Sequence, residues 1–222
     1  MKKLLHNSKI YKFGFTLAEV LITLVIVGVV AAMTIPTLIN NTQKNEFVAG
    51  LKKANSVLSQ AVYKIGQNKG YPVGDYSFFN NADFIDEFAK VVSVNKKCSN
   101  LVSCGGLSVT DYKHLNNQNG NYSDGKTIIT TDGQLYSAVK INPGSTIIGL
   151  SDEDGSDTKY RIFVDVNGGK KPNKFGRDVF WFYIVDKKGI VPAGANSTSD
   201  CNLSSVGESC AAKVLKENAM NY

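Results

Sequence analysis

One carboxylate lies inside the longest apolar run of this 222-residue chain. From Phe15 to Ile39 the sequence has 25 residues, and Glu19 is the only charged one among them. A helix of that length is about 37 Å long, which is enough to cross a hydrocarbon core of about 30 Å. Burying a carboxylate in lipid costs on the order of 2–3 kcal/mol. The sequence therefore predicts a membrane-spanning helix in which Glu19 has a functional role.

The residues around Glu19 stand at fixed offsets. Gly14 directly precedes the aromatic Phe15, the pair Thr16–Leu17 follows, Glu19 is fifth counting from Phe15, and Pro36 is twenty-second. This pattern resembles the prepilin N-terminus of type IV pilins and type II secretion pseudopilins. The resemblance implies cleavage between Gly14 and Phe15 by a prepilin peptidase, followed by methylation of the new Phe15 amine. It also implies that Glu19 neutralises the amine of a neighbouring subunit as helices stack into a filament.

Two other export routes fit parts of the same stretch. An ordinary secretory signal also has a lysine-rich start and an apolar centre of about 7–15 residues. Its small-residue cleavage site would be Val30–Ala32, leaving Met33 as the first residue. An uncleaved membrane anchor is the second alternative. The charge at Glu19 and a helical pattern that continues past Ala32 both disfavour the secretory signal, so we predict a leader peptide of residues 1–14.

Beyond this segment, few residues have the types and spacing needed for catalysis. His114 is the one histidine after the leader, and no nucleophile elbow, metalloprotease, phosphate-loop or Cys-x-x-Cys motif occurs. His114 lies in an Asn-rich stretch, where we expect a solvated side chain. A catalytic pair of carboxylates is not excluded by the sequence, because the fold could bring any two of them together. We expect a protein that is not an enzyme; the competing class is a secreted or membrane-anchored binding protein or enzyme that uses the N-terminus only for export.

Two acidic turns could supply oxygen ligands for calcium. The first contains Asp165, Asn167 and Asp178, and the second is residues 151–157, SDEDGSD. Calcium takes about six to eight oxygens, although Asp and Asn in turns more often bond to their own backbone. The first turn also resembles a C-terminal pattern of pilin-like proteins, and major pseudopilins bind calcium in a loop of their sheet. The residues that match that pattern are Asp165, Asn167, Gly168, Pro172, Asn173, Gly176, Asp178 and Phe180.

The four cysteines form two local pairs in the sequence, Cys98 with Cys104 and Cys201 with Cys210. A chain exported through such an N-terminus reaches an oxidising compartment, where disulfides persist. Four cysteines allow three connectivities, of which local pairing is the simplest. A zinc site is disfavoured because these spacings are wider than those of common zinc motifs. We predict two structural disulfides.

The net charge of +6 gives little information about partners. Four of the lysines lie in the leader, and without them the balance is 21 basic to 19 acidic residues. No later segment has a long basic run with interleaved aromatic residues, so we expect no nucleic-acid partner.

The residues after the apolar segment are expected to form a globular head domain. Apolar residues at steps of three and four continue to Ile65, which predicts one helix from about Phe15 to Ile65, kinked at Pro36. A second helix is predicted over 82–92 with Asn81 as a possible cap, and 98–125 is expected to be an exposed, variable loop. Strands are predicted over 127–131, 134–141, 146–150, 159–166 and 179–186, with a two-residue hairpin at Asp132-Gly133 and a final helix over 208–219.

This order of elements resembles the pilin fold. The predicted class is α+β: a long kinked N-terminal helix, membrane-spanning in its first half, packed on an antiparallel sheet, with a short C-terminal helix. The predicted divisions are a leader (1–14), a transmembrane or filament-core half-helix (15–39) and a globular head (40–222). The sequence indicates no cofactor other than calcium, which is a candidate.

Partners and location follow from the resemblance. They are other pilin or pseudopilin subunits, the prepilin peptidase and methyltransferase, an inner-membrane assembly platform, and membrane lipid before assembly. The implied location is the bacterial inner membrane with the head outside the cytoplasm, and then a filament in the periplasm or at the cell surface.

Overall fold

A computed structural model describes residues 14–105, 107–120, 125–142, 158–197 and 200–222. The chain divides into two units, Met1–Thr42 and Gln43–Tyr222. Helix α1 runs without interruption from Leu17 to Asn68 and contains Pro36. The long N-terminal helix expected from the apolar run and the stripe that follows it is therefore confirmed, and the kink at Pro36 stays a prediction.

Within the second unit, α1 buries one face. Its buried residues recur at steps of three and four, as in an amphipathic helix, and they are Phe47, Val48, Leu51, Ala54, Leu58, Ala61, Val62, Ile65 and Gly66. A polar clamp fixes the helix on the sheet: Gln134 Nε2 donates to the Gly50 carbonyl at 2.9 Å, and the Tyr136 hydroxyl donates to Gln134 Oε1 at 2.6 Å. A Cβ at Gly50 would lie 3.0 Å from Val166 Cβ, so the glycine permits this close approach.

Within the described residues, the sheet has six antiparallel strands in sequence order. They are β1 (Val94–Cys98), β2 (Thr127–Thr130), β3 (Leu135–Lys140), β4 (Thr158–Asp165), β5 (Val179–Val185) and β6 (Gly189–Pro192). The β2–β3 turn has three residues rather than the predicted two, because Thr130 pairs with Gln134 and Gly133 adopts φ +89°. The predicted strand over 146–150 lies outside the described residues.

Both faces of β5 are buried, as its apolar sequence predicts. Phe180, Phe182 and Ile184 join the cluster that includes α1, while Trp181 and Tyr183 join a second cluster on the other face. The sheet is thus the middle layer of the head.

The second cluster corrects the prediction for 98–125. Leu101 and Tyr112, from this stretch, are fully buried in it, and α3 (Leu101–Gly105) together with a 3₁₀ turn (Val109–Asp111) shapes the covering segment. The described part of this stretch is therefore a core layer, and the expectation of an exposed loop was wrong.

Besides a short 3₁₀ helix, Ser77–Asn80, the described residues contain two more α-helices, which lie close to their predicted positions. Helix α2 spans Phe84–Val91, and its cap is Asp83, whose side chain accepts from Asp86 N at 3.2 Å, so the cap expected at Asn81 was wrong. Helix α4 spans Cys210–Glu217 and buries Ala211 and Val214 against the sheet.

Candidate functional site

The segment just before α1 is open to solvent. Phe15 is 90% exposed, and a Cβ added at Gly14 would meet no atom within 4 Å. The peptide bond between Gly14 and Phe15 is therefore free of neighbouring side chains in the described residues, as a bond cleaved by an enzyme needs to be.

Glu19 has a defined partner, Thr16. Its Oε2 accepts from Thr16 N and from the Thr16 hydroxyl, both at 2.8 Å, and Glu19 N donates to Thr16 Oγ1 at 3.2 Å. These reciprocal bonds form a capping box at the start of α1, where the unpaired amides and the helix dipole favour a negative charge. The sequence analysis identified Glu19 as functional but did not predict its contact with Thr16. The spacing Thr-x-x-Glu is the sequence signal for such a capping box.

The capping box holds the Glu19 carboxylate close to Phe15. The amide that Glu19 accepts from belongs to Thr16, the residue directly after Phe15. Cleavage after Gly14 would create an ammonium group at Phe15, one residue away from that amide. The arrangement thus places the Glu19 carboxylate at the end of the helix where a new positive charge would appear.

The rest of the first unit presents apolar side chains on every side of α1. Leu21, Leu24, Val27 and Val30 are all more than half exposed. Among the described residues, α1 is the one helix long and apolar enough to cross a membrane. An apolar surface of this extent needs lipid or other apolar helices as its environment. Pro36 lies within this surface.

The comparison with known families identifies this segment. The family model for the prokaryotic N-terminal methylation motif matches residues 11–35. The chain carries the type IV pilin and pseudopilin signature. The match covers Gly14, Phe15 and Glu19 but not the head, and neither a curated protein nor a solved structure matches the chain. For the head, the resemblance to pilins thus rests on its α+β architecture.

The predicted calcium turn is organised around two buried carboxylates. Asp165 accepts from the amides of Asn167 and Gly168 at 3.1 and 3.0 Å, from the Gly169 amide at 2.8 Å, and from the Tyr112 hydroxyl at 2.9 Å. Asp178 accepts from the amides of Asn173 and Lys174 at 2.8 and 2.7 Å, and from Asn167 Nδ2 at 3.2 Å. The turn brings together the predicted residues Asp165, Asn167 and Asp178. In each of these contacts, however, an oxygen of Asp165 or Asp178 accepts from an N–H or O–H donor.

This geometry does not fit a calcium ion. The carboxylate oxygens face N–H and O–H groups that a cation would have to displace, and Asn167 turns its Nδ2, a donor, toward Asp178. No group of three or more acidic, histidine or cysteine side chains suited to a metal occurs in the described parts of the chain. The turn therefore closes the β4–β5 connection by bonding to its own backbone. The second acidic turn, 151–157, lies outside the described residues.

The pKa values of Asp165 and Asp178 are both raised above the usual value for an aspartate side chain. Burial, and then the charge of Asp178, raises the pKa of Asp165 to about 7. Burial raises the pKa of Asp178 to about 6, against the opposing effect of its backbone hydrogen bonds. The raised pKa values of this pair predict that the stability of the head depends on pH.

His114 differs from its prediction. The side chain is largely buried, its ring centre lies 5.5 Å from that of Phe175, and Nδ1 is 3.9 Å from Glu208 Oε1. The expectation of a solvated histidine was wrong, because 107–120 packs on the sheet. The structure also contains the predicted disulfides, Cys98–Cys104 and Cys201–Cys210.

Proposed function

We propose that this chain is a structural subunit of a type IV pilus or a type II secretion pseudopilus. One observation carries the proposal: the methylation motif coincides with the start of an exposed apolar helix that is long enough to span a membrane. The protein itself is not an enzyme in this account. Its activity is assembly, and the chemistry belongs to the enzymes that process it.

Processing comes first. A prepilin peptidase hydrolyses the bond between Gly14 and Phe15, and a methyltransferase then methylates the Phe15 amine. The exposure of both residues supports this step. Before assembly the subunit stays in the bacterial inner membrane through residues 15–39, with the head outside the cytoplasm.

Assembly then depends on Glu19. In an apolar filament core the charged Phe15 amine and the Glu19 carboxylate would each carry a desolvation cost on the order of 2–3 kcal/mol. Pairing the amine of one subunit with the carboxylate of its neighbour offsets both costs, since each charge then has an opposite charge at hydrogen-bond distance. Thr16 keeps Glu19 at the helix end until that partner arrives, because it satisfies the same carboxylate oxygen.

The partners of this function are other pilin-type subunits and the inner-membrane assembly platform. Pro36 and the apolar side chains around it would lie in the filament core. The completed filament would lie in the periplasm or at the cell surface.

Replacing Glu19 tests the proposal. In the native host, Glu19→Ala should leave cleavage after Gly14 intact and reduce incorporation into filaments at least about tenfold, measured by immunoblotting of sheared filaments. Glu46→Ala is the matched control, since Glu46 is an exposed acid on the same helix outside the apolar segment. Filaments of normal abundance and composition from the Glu19→Ala strain would sink the assembly role of Glu19.

A further inference from the structure

A loop of residues 200–209, directly before α4, packs on the segment that covers the sheet. Two backbone hydrogen bonds join them: Leu115 N donates to the Val206 carbonyl at 2.9 Å, and Asn116 N donates to the Ser205 carbonyl at 3.0 Å. We call these two bonds the loop contact. Because the net contribution of a single hydrogen bond is small, a side-chain contact beside this pair can alter how firmly the loop is held.

The loop is closed on itself. The Cys201–Cys210 disulfide joins its two ends, and both carboxylate oxygens of Asp200 accept from Ser209 N at 3.1 Å. It also packs closely, since a Cβ added at Gly207 would lie 2.6 Å from the Leu115 Cβ. We therefore expect the loop to join or leave the covering segment as one body.

His114 and Glu208 face each other beside the loop contact. His114 Nδ1 lies 3.9 Å from Glu208 Oε1, and the two side chains are only 13% and 10% exposed. This distance is too long for a hydrogen bond. Nδ1 is buried and has no hydrogen-bond partner among the described residues. The two segments thus meet at a polar pair whose contact is incomplete.

Protonation of the ring would complete this contact. A neutral imidazole carries a proton on one of its two nitrogens, whereas an imidazolium carries one on each and therefore has a donor at Nδ1. Histidine is the side chain whose charge ordinarily changes between about pH 5 and pH 8. A charge-assisted hydrogen bond to a carboxylate is about 2.7–2.9 Å long and roughly twice as strong as a neutral one.

The charged groups around Glu208 come from two other elements. Burial raises the pKa of Glu208, the charge of Arg161 on β4 lowers it, and the charge of Asp200 raises it. Tyr183 on β5 faces the same charges, and burial raises the pKa of its hydroxyl, so it stays neutral. An ion pair with His114 therefore has its full strength only above the pH at which Glu208 gains a proton.

The other side of His114 is apolar. The ring of Phe175 lies against it, with the ring centres 5.5 Å apart. Lys113 and Lys174 are the cations next to these two residues along the chain, and they pair along the backbone. Their positive charge disfavours a protonated histidine, so Glu208 is the group that favours one.

We propose that His114 and Glu208 form a proton-controlled latch, in which a protonated His114 pairs with the Glu208 carboxylate and holds the loop 200–209 more firmly on the covering segment. The latch should strengthen as the pH falls and His114 gains its proton, and weaken again at lower pH, when Glu208 becomes neutral. The buried pair Asp165 and Asp178 acts in one direction only. The latch lies within the second unit and does not depend on the assembly of the subunit.

Histidine NMR tests the pairing on the full chain in detergent. The chain has two histidines, His6 and His114, and His6→Gln assigns the His114 signal. Glu208→Gln removes the negative charge and keeps the size of the side chain, so the midpoint of the His114 titration should decrease by at least about half a pH unit. Glu217→Gln is the matched control, since Glu217 is an exposed acid on α4, and it should leave the midpoint unchanged.

Hydrogen exchange tests whether the pairing holds the loop. The amides of Leu115 and Asn116 make the loop contact, and the Phe182 amide in β5 reports the opening of the whole head. After correction for intrinsic exchange rates, protection of the two contact amides relative to Phe182 should be at least about threefold greater at pH 6 than at pH 8. Glu217→Gln should keep this difference, and Glu208→Gln should abolish it.

Two results would overturn the latch. Equal His114 midpoints in the wild type and Glu208→Gln would show that the two side chains do not interact. A relative protection that is the same at pH 6 and pH 8, or that changes equally in Glu208→Gln, would show that their pairing does not hold the loop. If Glu208→Gln does not fold, His114→Gln answers the second question, because glutamine gains no proton. A relative protection that still increases at pH 6 in that variant would also contradict the latch.

Discussion

The two halves of α1 are built from similar apolar residues but lie in opposite environments. Leu24 in the first half is 63% exposed, and Leu58 in the second half is fully buried. The difference follows from spacing: apolar residues fill every side of the first half, whereas in the second half they recur only at steps of three and four. The head buries the apolar face of the second half of α1. The apolar surface of the first half needs lipid or other helices to cover it.

The largest contrast should come from one substitution made in both halves. Leu58→Ala should reduce the free energy of unfolding of the head by about 2–5 kcal/mol, since it leaves a cavity in the core. Leu24→Ala should leave that free energy unchanged, because the Leu24 side chain is 63% exposed. Denaturant unfolding of the full chain in detergent, followed by Trp181 fluorescence, measures both. Comparable losses from the two variants would contradict the division of α1.

The stability of the head should respond to pH. The pKa of Asp165 is raised from 3.8 to about 7, so the folded head binds a proton more tightly than the unfolded chain does. The stabilisation is complete below pH 3.8 and is lost as pH increases through about 7. Asp178, raised to about 6, acts with the same sign. We expect the free energy of unfolding to decrease by about 4 kcal/mol from pH 5 to pH 8 when both carboxyl groups are included.

Asp178→Asn sharpens this measurement. Removing the neighbouring negative charge lowers the pKa of Asp165, so the decline should move to lower pH. Hydrogen bonds from Lys126 and Lys97 lower the pKa of Asp86. The stability that Asp86 contributes is therefore present above pH 3.8 and is lost only at lower pH, outside the range from pH 5 to pH 8. A head whose stability stays constant or increases between pH 5 and pH 8 would refute the buried pair as its pH-sensitive element.

The smallest expected effect compares the two helix caps. Thr16→Ala and Asp83→Ala each remove one N-cap, at α1 and at α2, which costs about 1 kcal/mol of local helix stability. Asp83→Ala should appear in the unfolding of the head. Thr16→Ala should appear only as faster hydrogen exchange in the first turn of α1. A loss of head stability from Thr16→Ala would show that the two halves are coupled.

The sequence predicts the elements whose signals are strong and local. The apolar run after Phe15 and the periodic stripe that ends at Ile65 predict α1, and the apolar sequence of 179–186 predicts a strand covered on both faces. The cysteine pairs are close enough along the chain that local pairing is the simplest connectivity, and the structure contains it.

The missed features depend on contacts made across the fold. Strand β1, with the sequence Val-Asn-Lys-Lys-Cys, has no apolar alternation because it lies at the edge of the sheet. Tyr112 and His114 look like loop residues until the sheet buries them. The Asp165 and Asp178 turn has calcium-like residue types, and only the direction of the N–H groups excludes an ion.

The identity of the first residue of the mature chain, with its mass, tests the central claim most directly. It is measured by mass spectrometry on protein extracted from membranes of the native host. The account predicts a chain that begins with N-methylated Phe15. A chain that begins at Met33, or one that keeps Met1 and the leader, would contradict it and would direct attention to an exported binding protein or enzyme.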